Sequence, residues 1–531
     1  MRKIWIKMVA LCLAAVLLLS GCNSSKFWLF MEGYTAFSDM AYTRPDVDAV
    51  QRAAEDLEEQ LQKEHTAESL MDYVYTFYGE YHDYFTNYAL ADIHYCKDMT
   101  DLYWGDEYTY CMETGTQVDM LLDRVLRGLA ACSLKEELEG EEYFGADFFD
   151  AYLGESLWTE EFTALMEQES ELVSEYYDLS EQALDAPDEK TYYDVYGTRM
   201  SQLFVELVAL RQQIAEEAGF DSYPDFAYDF YYGRDYTPQQ AQVLLDEIYT
   251  ELVPLYRKTA QSDIWSLGQR ECFEKQTFQY VKNCAAAMGG TIQEAFRLME
   301  GAELYDIAYG KNKYNASFSV FLTSYYEPYI FMNPSLSVYD QLTFAHEFGH
   351  FCNDFASGGS VAGIDVAEVF SQGMEFLSLC YSENTTDLQK LKMADSLSVY
   401  VEQAAYASFE QQVYSLEEEE LTAENIRTVF EQTGNAYGFD VWQWDSRSYV
   451  RITHFFTNPM YVISYVVSND AALQLYQLER DEKGAGLRLY EQQLATTEGQ
   501  FLEFVESADL ESPFVEGRLA ETRKLLEDLL K

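Results

Sequence analysis

Basic side chains are scarce in this sequence. Its 531 residues include 35 Lys and Arg against 92 Asp and Glu, a formal net charge of −57. A surface this negative repels nucleic acids and anionic lipid headgroups, which argues against a nucleic-acid-binding protein. The charge does not identify a substrate, and acidic runs such as residues 416–421 are expected to be solvated.

Proline is also scarce, at 9 residues, and the 28 glycines are a modest number. Long stretches are instead rich in Leu, Ala, Glu and Gln, which favour helix. The chain is 48% hydrophobic and has 44 Tyr and 33 Phe, enough to bury a sizeable core, so disorder is excluded. These counts predict a mainly α protein that divides into two or more subdomains.

The N-terminus lacks a hydrophobic run long enough to span a membrane. After the basic residues Arg2, Lys3 and Lys7 come about a dozen apolar residues, where a span needs ~20. The run ends in LSGC, which resembles a bacterial lipobox. We therefore predict a signal peptide over residues 1–21, lipidation of Cys22 and a polar tether over 22–32. The mature protein would be extracytoplasmic and held at the cell surface by acyl chains, with a short transmembrane anchor or plain secretion as the alternatives.

CxxC motifs are absent from the expected mature chain. Removing Cys12 with the leader and assigning Cys22 to lipid leaves seven cysteines: Cys96, Cys111, Cys132, Cys272, Cys284, Cys352 and Cys380. An odd number without CxxC spacing does not describe a disulfide framework. Most of them are expected to be buried thiols, with one or two bridges still possible.

Apolar periodicity marks the first part of the chain as helical. After Asp46, the residues Val50, Ala54, Leu57 and Leu61 recur at four- and three-residue spacing, which is typical of an amphipathic helix. Similar patterns continue and predict an N-terminal helical region over residues 33–215. Residues 216–531 form the second predicted region.

The second region contains a clear helix start and one interruption by strands. Thr237 can cap a helix whose first residue is Pro238, where the missing N–H costs nothing. Residues 317–333 are rich in β-branched and aromatic side chains around a proline-containing turn, which predicts a small antiparallel hairpin.

Histidine is rare as well, yet two of the six histidines stand four residues apart in HEFGH. On a helix His346 and His350 share a face and can bind one zinc ion, while Glu347 can take a proton from water. This is the HExxH pattern of zinc hydrolases. Asn353 and Ala356 stand where a metzincin would have Gly and His, so that class is excluded.

A third zinc ligand is expected from the next helix. The glycine-containing loop over 356–363 can reverse the chain, and the helix after it carries Glu368 and Glu375 two turns apart on one face. We predict Glu368 as the ligand and Glu375 as the carboxylate that orients an imidazole, with the reverse assignment as the alternative. Asp365 is expected to cap this helix.

The motif and its surroundings resemble a known peptidase family. The stretches PYIFMNPSLSVYDQLTFAHEFGH and DVAEVFSQGMEF are similar to zinc peptidases of the thimet oligopeptidase and oligoendopeptidase F family, most of all to the oligoendopeptidase F branch. AGFDSYPDFAYDFYYGRDYTPQQ, ITHFFTNPMYVISYVVS and the C-terminal segment extend the resemblance from about Leu203 onward. The chain departs from the family at Asn353, where histidine is usual, and in KYNASFS before the hairpin, where a basic glycine-containing approach is usual.

The resemblance implies a role for each matching residue. It implies that His346, His350 and Glu368 bind zinc and that Glu347 is the general base. It also implies that His454 and one of Tyr461 or Tyr465 polarise the scissile carbonyl. Independently of the family, a zinc hydrolase needs donors for a developing oxyanion, and an imidazole or a tyrosine hydroxyl can serve.

We therefore expect a cell-surface endopeptidase with one zinc ion whose substrates are oligopeptides. The resemblance implies two helical subdomains that enclose a deep channel, with a buried site that excludes folded proteins by size. A zinc exopeptidase of the carboxypeptidase type is one alternative, and it would need a group that binds a terminal charge. A non-catalytic peptide-binding lipoprotein is the other, with zinc structural or absent. No protein partner is indicated.

The anchor can be tested by replacing Cys22. We expect Cys22→Ala to abolish incorporation of labelled fatty acid, because the acyl acceptor is gone, and to leave the precursor uncleaved or released. Cys12→Ala, in the same leader, is the control and should keep its label. Unchanged labelling of Cys22→Ala would contradict the lipobox assignment.

Overall fold

The computed structural model describes residues 34–140, 142–154, 156–359, 363–383, 385–496 and 499–531. The predicted signal peptide, the lipidation site Cys22 and the tether over 22–32 lie outside the described residues. Within these ranges, no helix is both long enough and apolar enough to cross a membrane.

Helices dominate the described chain, as the composition predicts. The first α-helices are α1 (Val47–Leu61), α2 (Ala67–Lys97), α3 (Leu102–Ala131), α4 (Lys135–Leu138), α5 (Glu160–Ala183), α6 (Glu189–Thr191), α7 (Thr198–Glu217), α8 (Tyr223–Phe230), α9 (Pro238–Glu251), α10 (Val253–Thr259), α11 (Trp265–Gly268), α12 (Glu274–Met288) and α13 (Gly290–Gly301). After the strands follow α14 (Tyr339–Ser357), α15 (Ile364–Cys380), α16 (Thr386–Val413), α17 (Ala423–Ala436), α18 (Thr453–Thr457), α19 (Ile463–Asp481), α20 (Ala485–Gln493), α21 (Phe501–Ser507) and α22 (Arg518–Leu529). Short 3-10 helices cover Phe37–Asp39, Phe148–Tyr152, Phe439–Val441 and Ser446–Arg451, and a π-helix covers Tyr192–Gly197.

The chain divides into two compact units, neither of them continuous in sequence. Unit 1 comprises Met1–Ser156, Gly268–Thr385 and Ala472–Gly499. Unit 2 comprises Leu157–Leu267, Thr386–Ala471 and Gln500–Lys531. The division of the sequence near residue 215 and the enclosed channel both stay predictions.

The helix predicted after Asp46 forms for the expected reasons. The Asp46 carboxylate accepts a hydrogen bond from the Ala49 N–H and so caps α1. Val50, Ala54 and Leu57 are buried in the core that α1 shares with α2 and α3, and each buried Val or Leu contributes about 1.5–3 kcal/mol. The apolar stripe of α1 therefore forms part of the helical core of unit 1.

The predicted start of α9 in unit 2 is also confirmed. Thr237 accepts a hydrogen bond from the Gln240 N–H, the Gln240 side chain accepts one from the Thr237 N–H, and Pro238 occupies the first turn. This reciprocal capping box satisfies two backbone donors that the helix itself leaves unpaired.

The strands form the predicted hairpin plus one short addition. Strands β2 (Ser317–Leu322) and β3 (Glu327–Met332) are antiparallel, and β1 (Tyr305–Asp306) pairs parallel to β3. The order is β1-β3-β2, which makes β2 an outer strand, while every residue of β3 is buried. Helix α14 follows β3 and packs against β2, β3, α12, α13 and α15.

Helices α14 and α15 pack closely against each other at Gly349. A Cβ built on Gly349 would lie 2.5 Å from the Phe370 carbonyl oxygen and 2.6 Å from the Ser371 Cα, both backbone atoms that cannot rotate away. Only glycine allows the two helices this separation. At the end of α14, Gly358 and Gly359 take positive φ of 67° and 73°, and this turn begins the reversal that the sequence predicts.

The seven expected thiols are all described, and all are free. Five are buried, whereas Cys132 and Cys380 are half-buried. The bridges that the cysteine count left possible are therefore not present.

The contact at Gly349 predicts opposite effects of alanine at two helical glycines. Gly349→Ala should lower the free energy of unfolding in urea by about 1–3 kcal/mol, because the new methyl group displaces α15. Gly79→Ala is the matched control. Its Cβ meets nothing within 4 Å on α2, so the gain in helix propensity should raise stability by about 0.5–1 kcal/mol. A Gly349→Ala protein as stable as the wild type would contradict the close approach.

Candidate functional site

The two motif histidines and Glu368 converge in unit 1. His346 and His350 lie one turn apart on α14, with ring centroids 5.0 Å apart. From α15, Glu368 Oε2 lies 3.4 Å from His346 Nε2, and Glu368 Oε1 lies 3.8 Å from His350 Nε2. One potential ligand atom from each residue falls within 4.8 Å of the others, and the described residues contain no other His, Cys, Asp or Glu group of this kind. Two imidazoles and a carboxylate are a set that fits zinc and leaves a position open for water.

A hydroxyl group fixes the Glu368 carboxylate. The Ser371 hydroxyl lies 2.9 Å from Glu368 Oε2 and 3.0 Å from the Glu368 carbonyl oxygen, one turn earlier on α15. Glu368 is only 3% exposed, so this hydrogen bond restricts it while both oxygens stay near the histidines. Ser371 was not predicted as a site residue, although a serine three residues after a candidate ligand on a helix can hydrogen-bond to it.

Glu375 contacts the opposite nitrogen of His346. His346 Nδ1 lies 2.9 Å from Glu375 Oε1, and because a carboxylate only accepts, Nδ1 carries the proton. In the neutral form of this imidazole, Nε2 then has its lone pair toward Glu368 and His350. This is the placement the sequence analysis assigned to Glu375, and carboxylates in this position hold imidazoles in orientation. Asp365 is not the helix cap, because Gly363 takes the N-cap position and Asp365 lies in the first turn of α15.

The charges around His346 favour a cation between these side chains. Burial lowers the pKa of His346, but the hydrogen bond with Glu375 and the charges of Glu368 and Glu375 outweigh it and raise the pKa to about 9. Burial dominates at His350 and lowers its pKa to about 4. The carboxylates that stabilise an imidazolium would equally stabilise a divalent metal ion bound to neutral imidazoles.

Glu347 is buried beside the potential ligands. It is 4% exposed, and burial raises the pKa of its carboxyl to about 7, although the charge of His346 and a hydrogen bond from Ser317 pull it down. A carboxyl group with a pKa near neutrality is suited to accept and return a proton. Ser317 is the first residue of β2 and lies in KYNASFS, the stretch that departs from the family pattern. No local sequence pattern predicts that Ser317 lies near Glu347, because the two residues are on different elements.

The other three predicted residues meet in unit 2. The ring centroid of His454 lies 5.1 Å from that of Tyr461 and 5.9 Å from that of Tyr465, and the two tyrosine rings are 5.1 Å apart. The Tyr465 hydroxyl lies 3.4 Å from His454 Nε2. The two tyrosines do not share a helical face, because α19 begins at Ile463 and Tyr461 precedes it. A turn, not helical spacing, brings these rings together.

Comparison with protein-family models gives two matches. Residues 37–152 match the peptidase M3 N-terminal domain, and residues 292–502 match peptidase family M3. Together they cover more than half of the chain and include both groups of residues described above. The search of curated proteins gave no match.

Solved structures share the fold. A protein provisionally named oligoendopeptidase F superposes with a TM-score of 0.80 at 21% identity, covering 93% of this chain and 98% of that one. PZ peptidase A with an inhibitor gives a TM-score of 0.80 at 19% identity, covering 93% and 99%. A provisionally named oligoendopeptidase F from Bacillus anthracis gives 0.78 at 19%, covering 94% and 98%. At these identities the likeness shows the fold alone.

The two α15 carboxylates should differ in their effect on metal affinity. Glu368→Ala removes a potential ligand and leaves two histidines, so zinc affinity should collapse. Glu375→Ala should weaken it about 10–100-fold, as the loss of an orienting carboxylate does. Glu375→Gln, which keeps an acceptor for the Nδ1 proton, is the matched control and should stay closer to the wild type.

Zinc titration in competition with a chelator measures all three variants. Tighter binding by Glu368→Ala than by Glu375→Ala would exchange the two roles. Unchanged binding in both would reject a glutamate ligand altogether.

Proposed function

This chain belongs to peptidase family M3, and from that membership we propose that it is a zinc-dependent endopeptidase that hydrolyses oligopeptides. The observation that carries the proposal is the buried Glu347 beside the group formed by His346, His350 and Glu368. A purely structural zinc site prefers four protein ligands and needs no adjacent proton acceptor. Three ligands and a neighbouring carboxylate therefore favour catalysis over the peptide-binding alternative.

His346, His350 and Glu368 would hold the zinc ion. Bound there, zinc would supply Lewis-acid polarisation of the scissile carbonyl and a lowered pKa for the attacking water. Glu347 accepts the proton of that water as the oxygen attacks the carbonyl carbon, and then passes it to the leaving amine nitrogen as the C–N bond breaks. The Ser317 side chain favours the charged form of the Glu347 carboxyl and so lowers its pKa against the effect of burial.

His454 and Tyr461 or Tyr465 are proposed to stabilise the negative charge on the carbonyl oxygen. An imidazole N–H or a tyrosine hydroxyl aimed at a developing oxyanion typically contributes a few kcal/mol to transition-state stabilisation. The convergence of all three rings in one cluster supports this assignment.

The outer strand β2 supports an extended peptide backbone as the form of the substrate. β2 is an outer strand of the sheet, and its first residue contacts the proposed general base Glu347. A peptide added along such a strand is held through main-chain hydrogen bonds, which need no free terminus. This favours internal cleavage over the carboxypeptidase alternative.

The proposed setting is outside the cytoplasm. If Cys22 is acylated, the enzyme is tethered to the outside of a bacterial membrane and meets peptides from the surroundings. The high negative charge keeps a tethered enzyme soluble and apart from its neighbours.

Glu347→Gln is the direct test of the mechanism. We expect it to bind zinc as the wild type does but to lose nearly all turnover of a quenched fluorescent peptide, because the amide cannot accept the proton. Glu294→Gln, an exposed substitution on α13 in the same unit, is the control and should keep the wild-type rate. Wild-type turnover by Glu347→Gln, or hydrolysis by the native enzyme that a chelator does not inhibit, would reject the proposal.

The products of a mixed peptide library, identified by mass spectrometry, test the substrate class. Internal cleavage of short peptides with folded proteins left intact is the expected result. Removal of single terminal residues would establish the exopeptidase instead.

A further inference from the structure

The segment over residues 453–465 carries His454, Tyr461 and Tyr465 and turns at a strained residue. Met460 has a φ of +65° and is 2% exposed. A non-glycine residue in the left-handed region costs free energy and persists only where its surroundings impose it. The neighbours of Met460 in unit 2 must therefore hold this turn.

Arg234 holds the carbonyl side of Met460. It lies between α8 and α9, is 8% exposed, and donates from Nη1 to the Met460 carbonyl oxygen at 2.9 Å. Nη2 donates to Ser464 Oγ at 2.8 Å, so one guanidinium spans the turn and the start of α19. Its flat face lies over the rings of Tyr228 and Tyr232 at 4.3 Å and 4.4 Å, which fixes its plane.

Glu410 holds the amide side of the same residue. This α16 carboxylate is 1% exposed, and its Oε1 accepts a hydrogen bond from the Met460 N–H at 2.7 Å. The main chain of Met460 is thus fixed by a buried cation on one side and a buried acid on the other. We call Arg234 and Glu410 the Met460 clamp.

Further hydrogen bonds restrain the residues before the clamp. Arg211, fully buried on α7, donates to the carbonyl oxygens of Phe455, at 2.9 Å, and of Phe456. The Tyr232 hydroxyl donates to the Pro459 carbonyl oxygen at 2.8 Å. Because α18 and Pro459 are held in this way, the conformation of Met460 decides the position of Tyr461 and of the first turn of α19.

We propose that Arg234 and Glu410 are positioning residues, which hold Met460 in its left-handed conformation so that the rings of His454, Tyr461 and Tyr465 meet. Burying a guanidinium and a carboxyl group to bind main-chain atoms is costly, and apolar side chains would serve packing alone equally well. The catalytic consequence rests on the proposed function, whereas the geometric consequence does not.

Arg234→Lys tests the catalytic consequence. One ammonium group cannot donate to the Met460 carbonyl and to Ser464 Oγ in the forked geometry of a guanidinium. We expect kcat to fall about 10–100-fold with KM changed less than about threefold and zinc content unchanged, as for misaligned transition-state groups.

Arg518→Lys is the matched control. Arg518 on α22 is 7% exposed and donates to Asp470 Oδ2 at 2.9 Å, in the same unit but without a hydrogen bond to the segment over 453–465. Loss of this buried guanidinium should lower stability to a similar extent as Arg234→Lys and leave kcat at the wild-type value.

Histidine NMR tests the geometry without any turnover. The chain has only six histidines, so the His454 ring signal can be assigned by its loss in His454→Gln. Ring currents of Tyr461 and Tyr465 act on this signal, and we expect it to shift in Arg234→Lys and in Glu410→Ala. It should stay in place in Arg518→Lys and in Glu410→Gln, which keeps an acceptor for the Met460 N–H.

The two measurements separate failure of the clamp from failure of the proposed function. A His454 signal that moves no further in Arg234→Lys and Glu410→Ala than in their controls overturns the clamp, whatever the activity. Should Arg234→Lys fail to fold, the Glu410 pair decides the question by the same signal. A native protein without chelator-sensitive hydrolysis would overturn the proposed function, while the shift of the His454 signal would still support the clamp.

Discussion

The distance between α14 and α15 at Gly349 is the constraint on which the geometry of the candidate metal site depends. A side chain there would meet the Phe370 carbonyl oxygen and the Ser371 Cα, which are backbone atoms of the neighbouring helix. Only at this separation can Glu368 approach both histidines while Glu375, two turns later, contacts the far side of one of them. The glycine of HEFGH is therefore as much a part of the site as its histidines.

The two groups of functional residues are held by different physical means. Main-chain rigidity positions the histidines and glutamates, since each lies on a helix that packs along its length. His454 lies on the short helix α18, and Tyr461 lies in the irregular turn that follows it, where no continuous backbone ladder fixes the chain. Buried hydrogen bonds take over that task, and in a chain poor in basic residues two arginines, Arg211 and Arg234, are buried to bind main-chain carbonyls.

Local sequence patterns predicted the parts of the fold that depend on interactions between residues close together in the chain. Asp46 and Thr237 cap helices because a short oxygen-bearing side chain satisfies a nearby N–H, and the 317–333 stretch forms a hairpin because β-branched and aromatic residues suit a pleated surface. The cap expected at Asp365 failed because Gly363 ends the loop two residues earlier. Tyr461 and Tyr465 are four residues apart but do not share a helical face, because Met460 takes a positive φ and α19 begins only at Ile463.

The sequence by itself determined that His346 and His350 share one helix face, because a helix repeats its face every 3.6 residues, and that Glu347 stands beside them. It also limited the candidate third ligand to Glu368 or Glu375, which share a face and are equivalent to any argument from periodicity. Only the tertiary structure separated them, since the contact at Gly349 places one carboxylate against both Nε2 atoms and the other against Nδ1. The hydrogen bond of Ser317 with Glu347 and the clamp of Arg234 and Glu410 on Met460 join residues far apart in the chain. Such contacts arise from packing between elements, and no local spacing encodes them.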